Sequence, residues 1–423
     1  MNRVGGDRWR ALVEHGADSG HNTTFSMYFK SQPPMTTALQ SNVVSGLEPT
    51  LPSSWYLQDR YYELEREHIF MREWVCVGRE EEIPARGDHK VLDLYGESIL
   101  MLRNDKGEIK AFYNVCRHRG ARICPAPDDD VSVLALKGGI VGKRSIICPY
   151  HAWTYNLDGQ LTKAPHMSAE TGFKPEGISL HPVGVSTWGG FIFLNLTPDQ
   201  APDFEETIKV ARRRFERYPL TDLRIAKTIT YEVNANWKVL CENYNECYHC
   251  GPVHPELCRI VPAFREAGGA DLDWERGVPH REGATTFTFS GESTRRSFPG
   301  LNEDEQVRHK GELIYPNVFL SLAREHVTFY ILHAKSPGKT IIDCHLLFEP
   351  FEIEKEDFDP SDAADFWHVV NLQDWAICQR VQQGISARVH ERGVYAPMED
   401  WNLDIRRYVQ DRIGPHVETH AKS

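Results

Sequence analysis

Two short segments of the chain each pair a thiol with an imidazole: Cys116-Arg117-His118-Arg119-Gly120 and Cys148-Pro149-Tyr150-His151-Ala152-Trp153. Two Cys and two His can hold a tetrahedral zinc, or a [2Fe–2S] cluster with two His on one iron. Zinc modules group like ligands, as C-x2-C with H-x3–5-H. Here each segment mixes the two types, C-x-H and then C-x2-H, and one Cys and one His per loop suits a two-iron cluster gripped from both sides. The plain alternative is four unrelated core residues, and the doubled pattern argues against it.

A second cluster of donors runs from Glu242 to His254, through Asn243-Tyr244-Asn245-Glu246-Cys247-Tyr248-His249-Cys250-Gly251-Pro252-Val253. Glu246 and His249 stand at i, i+3, which a helix places on one face. His249 and His254 are five apart, about 140° around a straight helix. Pro252 removes an amide N–H and pushes Gly251 out of the α region, so the helix should break there. A break lets His254 turn back toward His249, as two ligands of one metal require. A pair of hydrogen-bonded structural His is the alternative.

The elements that must position these residues divide the chain. Residues 1–45, with Gly5-Gly6 and Pro33-Pro34, read as an unstructured leader, and Met35 is a candidate start. Residues 46–76 carry a helix, Leu57 to Val75, expected to pack on the C-terminal part, residues 196–423. Residues 77–195 alternate as short strands separated by Asn104-Asp105-Lys106-Gly107 and Asp158-Gly159, an all-β domain. Residues 196–423 mix helices at Phe204–Arg217, Trp237–Cys250 and Ala363–His390 with strands at Ala226–Val233, Thr285–Ser290, Asn317–Ala323, Val327–Lys335 and Thr340–Glu349. The fold class is therefore α+β, with helices covering an antiparallel sheet behind a β domain. The acidic stretch Glu352–Asp365 reads as a solvated connection. Gly138 to Lys143 is similar to a phosphate-binding loop but lacks a Ser or Thr after Lys143, which argues against phosphate.

Composition excludes more than it identifies. The 423 residues carry 60 acids against 48 Lys and Arg, a net charge of −12. Binders of nucleic acid or of anionic membranes need basic surfaces, so neither partner is expected. No apolar run reaches membrane-spanning length. Ten Cys are too sparse for a disulfide scaffold, which points to a reducing cytoplasm.

With both clusters set out, the chain resembles the Rieske non-haem iron oxygenases. C-x-H-R-G with C-P-Y-H-x-W is similar to a Rieske iron–sulfur domain. The resemblance implies one [2Fe–2S] cluster with Cys116 and Cys148 on one iron and His118 and His151 on the other. Between His118 and Cys148 lie 29 residues, about a dozen more than this family commonly has. The excess, with Asp128-Asp129-Asp130 and Gly138-Gly139, is read as an inserted surface loop. The segment around Glu246 resembles the catalytic motif of these oxygenases, in which two His and a distant Asp form a facial triad suited to Fe(II) and O2. That implies one mononuclear iron on His249, His254 and Asp374, the last in Leu372-Gln373-Asp374-Trp375; Asp362 and Asp365 compete for the role. Glu246 matches the residue that bridges the two centres across a subunit boundary. Its being Glu in E-C-Y-H-C is similar to the subgroup acting on quaternary ammonium compounds (carnitine, glycine betaine, stachydrine, choline).

The resemblance further implies O2-dependent hydroxylation or N-demethylation of such a compound in a homotrimer. The chain shows no G-x-G-x-x-G dinucleotide fingerprint, so a separate NAD(P)H-dependent flavin/iron–sulfur reductase is expected to supply electrons. An aromatic-ring hydroxylating dioxygenase alpha subunit is the alternative enzyme. A carrier using only its Rieske centre is the alternative outside catalysis. A quaternary ammonium calls for aromatic walls, for which Tyr244, Phe287, Phe289, Phe319, Phe329 and Trp367 are the candidates.

Overall fold

The computed structural model of the protein describes residues 46–126, 129–167 and 172–417. The expected leader, Asp128 of the inserted loop and the last six residues lie outside them. The chain enters through two short helices, α1 (Ser53–Leu57) and α2 (Asp59–Glu65), and a wider π turn over Arg66–Phe70. The single helix expected to Val75 therefore ends early. Val75 instead opens a strand, where two buried faces suit its β-branched side chain.

Ten strands follow: β1 (Val75–Arg79), β2 (His89–Leu94), β3 (Glu97–Arg103), β4 (Ile109–Tyr113), β5 (Gly139–Val141), β6 (Ser145–Ile147), β7 (Thr154–Tyr155), β8 (Leu161–Lys163), β9 (Pro182–Trp188) and β10 (Phe191–Asn195). They make an antiparallel sheet in the order β1-β10-β9-β4-β3-β2 and a smaller one in the order β5-β6-β7-β8. Leu100, Leu102, Phe112, Ile146, Trp153, Tyr155 and Leu157 fill the space between them.

Helix α3 (Phe204–Arg214) starts on Asp203, whose side chain accepts the Glu205 amide, and ends on three Arg. Acids at its start and cations at its end both suit the helix dipole. Strand β11 (Arg224–Val233) leads into α4 (Trp237–Tyr244), capped by Asn236, and two short helices, α5 (Cys250–Val253) and α6 (Pro255–Ile260). Strands β12 (Val278–Pro279), β13 (Arg308–Ile314), β14 (Val318–Leu322), β15 (Val327–Ser336) and β16 (Lys339–Phe348) complete a sheet ordered β11-β16-β15-β14-β13-β12. A short α7 (Pro350–Ile353), the long α8 (Ser361–Ile385) and α9 (Asn402–Val417) close the chain.

Three expectations need correction. Thr285–Ser290 is not a strand: Thr288 Oγ1 bonds the Glu292 carbonyl and receives the Gly291 amide, so local side-chain bonds replace a ladder. The charged strand β13 went unread because Lys310 is buried against Glu305 at 2.9 Å, which composition does not show. The acidic connection is partly structural, since Glu352 is buried and Asp362 pairs with Arg295 at 2.8 Å.

The first strand layer and the last sheet share a core, with Trp74, Phe191 and Phe193 packed with Phe215 and Phe329. Asn317 ties them by accepting the Cys76 amide at 2.9 Å and donating to the Cys76 carbonyl at 2.9 Å. Helix α2 is locked to α4 by Glu65, which receives Lys238 Nζ and, at 2.8 Å, the Trp237 indole N–H.

Candidate metal centres

The two Cys/His segments are hairpin loops with the same bonding. In the first, the Cys116 amide donates to Ala121 and the Gly120 amide to Cys116; in the second, Cys148 donates to Trp153 and Ala152 to Cys148. The fourth residue after each Cys has positive φ, 72° at Gly120 and 56° at Ala152. A Gly meets that at no cost, and the Ala pays strain the surrounding loop must hold. Both thiols are buried and both His are exposed at the tips. The rings of His118 and His151 lie 4.6 Å apart, and Trp153 stacks on His118 at 4.8 Å. Tyr155, which sequence reasoning passed over, accepts the Arg117 amide at 3.1 Å and lies 3.2 Å from Cys116 Sγ. A hydrogen bond from Cys148 and one from the Tyr155 hydroxyl pull the Cys116 thiol down, and the same contact with burial pushes the Cys148 thiol up, so the two sulfurs share one proton. Two sulfurs this close suit a shared cationic iron, which favours both as thiolates.

The long segment between the loops is not a free appendage. Gly138 (φ 78°) presses on both cluster loops, since a Cβ there would stand 2.4 Å from the Ile123 carbonyl and 2.7 Å from Pro149 Cδ. Val133, Leu134 and Leu136 are exposed.

The second cluster departs from the expected helix. Helix α4 stops at Tyr244, because the Glu246 carboxylate takes the His249 amide at 3.1 Å and turns the chain. Glu246 and His249 meet through that turn, with Oε1 2.6 Å from His249 Nδ1. His254 lies at the junction of α5 and α6, where the chain breaks after Pro252. Its Nε2 is 3.2 Å from His249 Nε2 and 2.8 Å from Asp374 Oδ1 on α8, and that oxygen is 3.3 Å from His249 Nε2. His249, His254 and Asp374 are the one such metal-sized group among the described residues. Asp362 and Asp365 stand apart from it, the first paired with Arg295 and the second exposed.

The surrounding bonds fix which nitrogens face inward. Glu246 receives the His249 Nδ1 proton, and Gln373 Oε1 lies 2.9 Å from His254 Nδ1. Both Nε2 atoms then face the Asp374 oxygen, the arrangement three ligands of one metal ion take; a cation between them, or a proton on His249, satisfies it. Burial lowers the His249 pKa, but Asp374 and Glu246 outweigh it and raise it to about 11. The same two His hold Asp374 below its usual range despite burial. Gln373 was not foreseen; its only sequence signal is adjacency to Asp374.

The triad opens on a cavity also lined by Tyr244, Phe264, Trp274, Phe319, Tyr330, Trp367, Trp375 and Trp401. Of the six aromatics expected there, Tyr244, Phe319 and Trp367 line it. Phe287 and Phe329 are core residues, and Phe289 is exposed.

Comparison with known proteins agrees with this geometry. Residues 73–184 match the family "Rieske [2Fe-2S] domain" and residues 220–414 match "Ring hydroxylating alpha subunit (catalytic domain)". The chain is 28% identical over 385 residues to the glycine betaine monooxygenase oxygenase subunit of Pseudomonas aeruginosa, covering 84% of this chain and 86% of that protein. It is 33% identical over 265 residues to the carnitine monooxygenase oxygenase subunit of Acinetobacter pittii, covering 60% and 64%. The crystal structure of the quaternary ammonium Rieske monooxygenase CntA with L-carnitine shares the fold at TM-score 0.64 and 24% identity, covering 86% of this chain and 96% of that one. The fold and the two centres define an iron-dependent oxidoreductase with a Rieske cluster. The chain belongs to the Rieske non-haem iron oxygenases, as an oxygenase (alpha) subunit. Its cofactors are one [2Fe–2S] cluster and one mononuclear iron. Among the described residues no helix is long and apolar enough to cross a membrane.

Proposed function

We propose that this chain is the oxygenase component of a multicomponent Rieske monooxygenase that hydroxylates, and so N-demethylates, a quaternary ammonium compound of the glycine betaine, stachydrine or carnitine type. The observation that carries it is the convergence of His249, His254 and Asp374 on a cavity walled by aromatic rings. Desolvated cation–π contacts are worth about 2 kcal/mol each, which is how such walls select a cation that cannot donate a hydrogen bond. The relatives named for glycine betaine and carnitine support the same substrate class.

In this reading residues 77–195 form the Rieske domain and residues 196–423 the catalytic domain. Cys116, Cys148, His118 and His151 hold the cluster, and His249, His254 and Asp374 hold Fe(II). Bound there, the cluster passes single electrons and the iron activates O2. Glu246 orients that ligand through both oxygens, Oε1 on His249 Nδ1 and Oε2 on the His249 amide, and is the residue expected to link this iron to a neighbouring chain's cluster.

A cyclic homotrimer, a separate NAD(P)H-dependent reductase and a cytoplasmic setting complete the proposal. One end of the chain exposes the cluster tip with Arg117, Arg119 and Tyr150. Of the cavity-lining residues Trp401 is exposed, next to Asp400 in sequence. An exposed cluster tip and an iron cavity on different parts of one chain suit a head-to-tail contact that closes into a ring.

The test is a substrate panel with a surrogate reductase under O2. Formaldehyde release from glycine betaine, stachydrine or carnitine supports the reading; ring hydroxylation of an aromatic substrate, with none from the panel, overturns it. Iron content discriminates against a simple carrier. His249→Ala should remove about one iron in three while keeping the Rieske spectrum, and unchanged turnover in that variant would refute the site.

A further inference from the structure

Helix α8 carries more than Asp374. Trp375, the next residue, lines the same cavity, is buried, and has an indole N–H with no hydrogen-bond partner. Its ring centre lies 6.0 Å from that of Tyr231, a buried residue of β11 outside the cavity lining. Tyr231 Oη is 2.9 Å from His368 Nδ1, and the two rings stack at 5.7 Å. His368, Asn371 and Trp375 stand at i, i+3 and i+7 on α8, one stripe facing the strand.

Asn371 fixes the direction of the hydroxyl. Its Oδ1 accepts from Tyr330 at 3.0 Å, so its Nδ2 donates, to Tyr231 Oη at 3.4 Å. With that side of the oxygen receiving a proton donor, Tyr231 gives its own proton to His368 Nδ1, which must be the acceptor. Burial pushes the Tyr231 phenol above its ordinary range, so it stays neutral until it is oxidised.

Thiolates apart, Trp and Tyr are the side chains that most readily lose one electron. A phenol that loses an electron becomes a strong acid, and a base already bonded to it takes the proton in the same step. We propose that Trp375, Tyr231 and His368 form a one-electron exit that protects the cavity when O2 is reduced without substrate. An oxidising equivalent left at the triad takes an electron from Trp375. Tyr231 refills Trp375 and its proton passes to His368, leaving a neutral tyrosyl radical and an imidazolium. An external thiolate returns the electron and His368 returns the proton; two thiyl radicals pair as a disulfide. Each passage thus moves one electron inward and consumes one thiolate.

The inference rests on the oxygen chemistry proposed above, and one experiment separates their failures. The full chain, loaded with cluster and iron, is reduced through a surrogate reductase and mixed with O2 without substrate, with O2 uptake and freeze-quench EPR followed together. A tyrosyl signal is expected in the parent protein and absent in Tyr231→Phe. His368→Gln, which keeps a hydrogen-bond acceptor but not a base, should also lose it. Tyr231→Phe should keep its coupled turnover, yet lose activity several-fold sooner during uncoupled turnover and accumulate oxidised Trp375 by peptide mass spectrometry. O2 uptake with no tyrosyl signal in the parent, a signal that survives Tyr231→Phe, or equal lifetimes would overturn the exit path. No O2 uptake with or without substrate would overturn the oxygenase reading, and this inference with it.

Discussion

Gln373→Leu isolates the part of the iron site that no motif contains. Gln373 Oε1 lies 2.9 Å from His254 Nδ1, and His254 is 1% exposed, so water cannot replace the lost acceptor. The imidazole then has two choices. It can keep its proton on Nδ1 as a buried unpaired donor, at about 1–3 kcal/mol. It can instead move the proton to Nε2, which removes that nitrogen from the triad. Both choices draw their cost from metal binding, and losing such an outer partner typically weakens affinity about 10–100-fold, or about 1.4–2.8 kcal/mol. Gln373 also donates to Glu256 at 2.8 Å, but the Glu256 side chain is about one-fifth exposed and can turn to water. Competitive titration of Fe(II) against a chromophoric chelator measures the affinity, and the visible spectrum of the cluster controls for folding. A dissociation constant raised 10–100-fold beside an unchanged cluster spectrum is expected. An unchanged constant would refute the claim that Gln373 sets the His254 tautomer.

Other consequences follow from the same structure. Lys238→Met strands the buried Glu65 carboxylate with only the Trp237 indole, so calorimetry should show a loss of about 3–5 kcal/mol, largely recovered by adding Glu65→Gln. Burial holds the His280 pKa down to about 4, outweighing the upward pull of Glu325 and the Thr285 backbone. The unfolded chain takes up that proton first, near pH 6.5, so stability should fall as pH drops from about 6.5 to 4; denaturant melts of His280→Phe should show a shallower acid decline. Gly269→Ala places a Cβ 2.7 Å from Cys247 Cβ at φ 74°, which should shift the Glu246 turn. Its iron affinity should drop, with the cluster spectrum intact. Glu246→Gln keeps the shape but not the charge beside His249, so in the proposed trimer reduction of the iron by a neighbouring chain's cluster, followed by stopped flow, should slow more than iron affinity weakens.

Local spacing in the sequence carried much of the fold and the site. Period-two segments marked the β domain, and Pro252 marked the break that lets His254 face His249. Features that depend on which partner a side chain finds, near or far, were not legible. The α4 helix ended at Tyr244 because the Glu246 side chain competes for a backbone amide, which helical periodicity cannot register. Strand β13 reads as polar because Lys310 is neutralised by Glu305 and by the Arg214 carbonyl.

The donor types, and with them the preference for iron over zinc, were set by residues within a few positions of one another, since ligand chemistry is a property of the side chain. Asp374 was reached through family resemblance, and nothing local distinguishes it from Asp362 or Asp365. Only the tertiary structure decided between them, by bringing α8 against the turn at His254 and leaving Asp362 to Arg295. It likewise decided which aromatics wall the cavity, which oxygen each His Nδ1 faces, and that Tyr231 meets Trp375. The contacts of His254 with Gln373 and of Tyr231 with His368 and Trp375 join elements more than 100 positions apart, and they arise from packing a sheet under helices rather than from any local pattern.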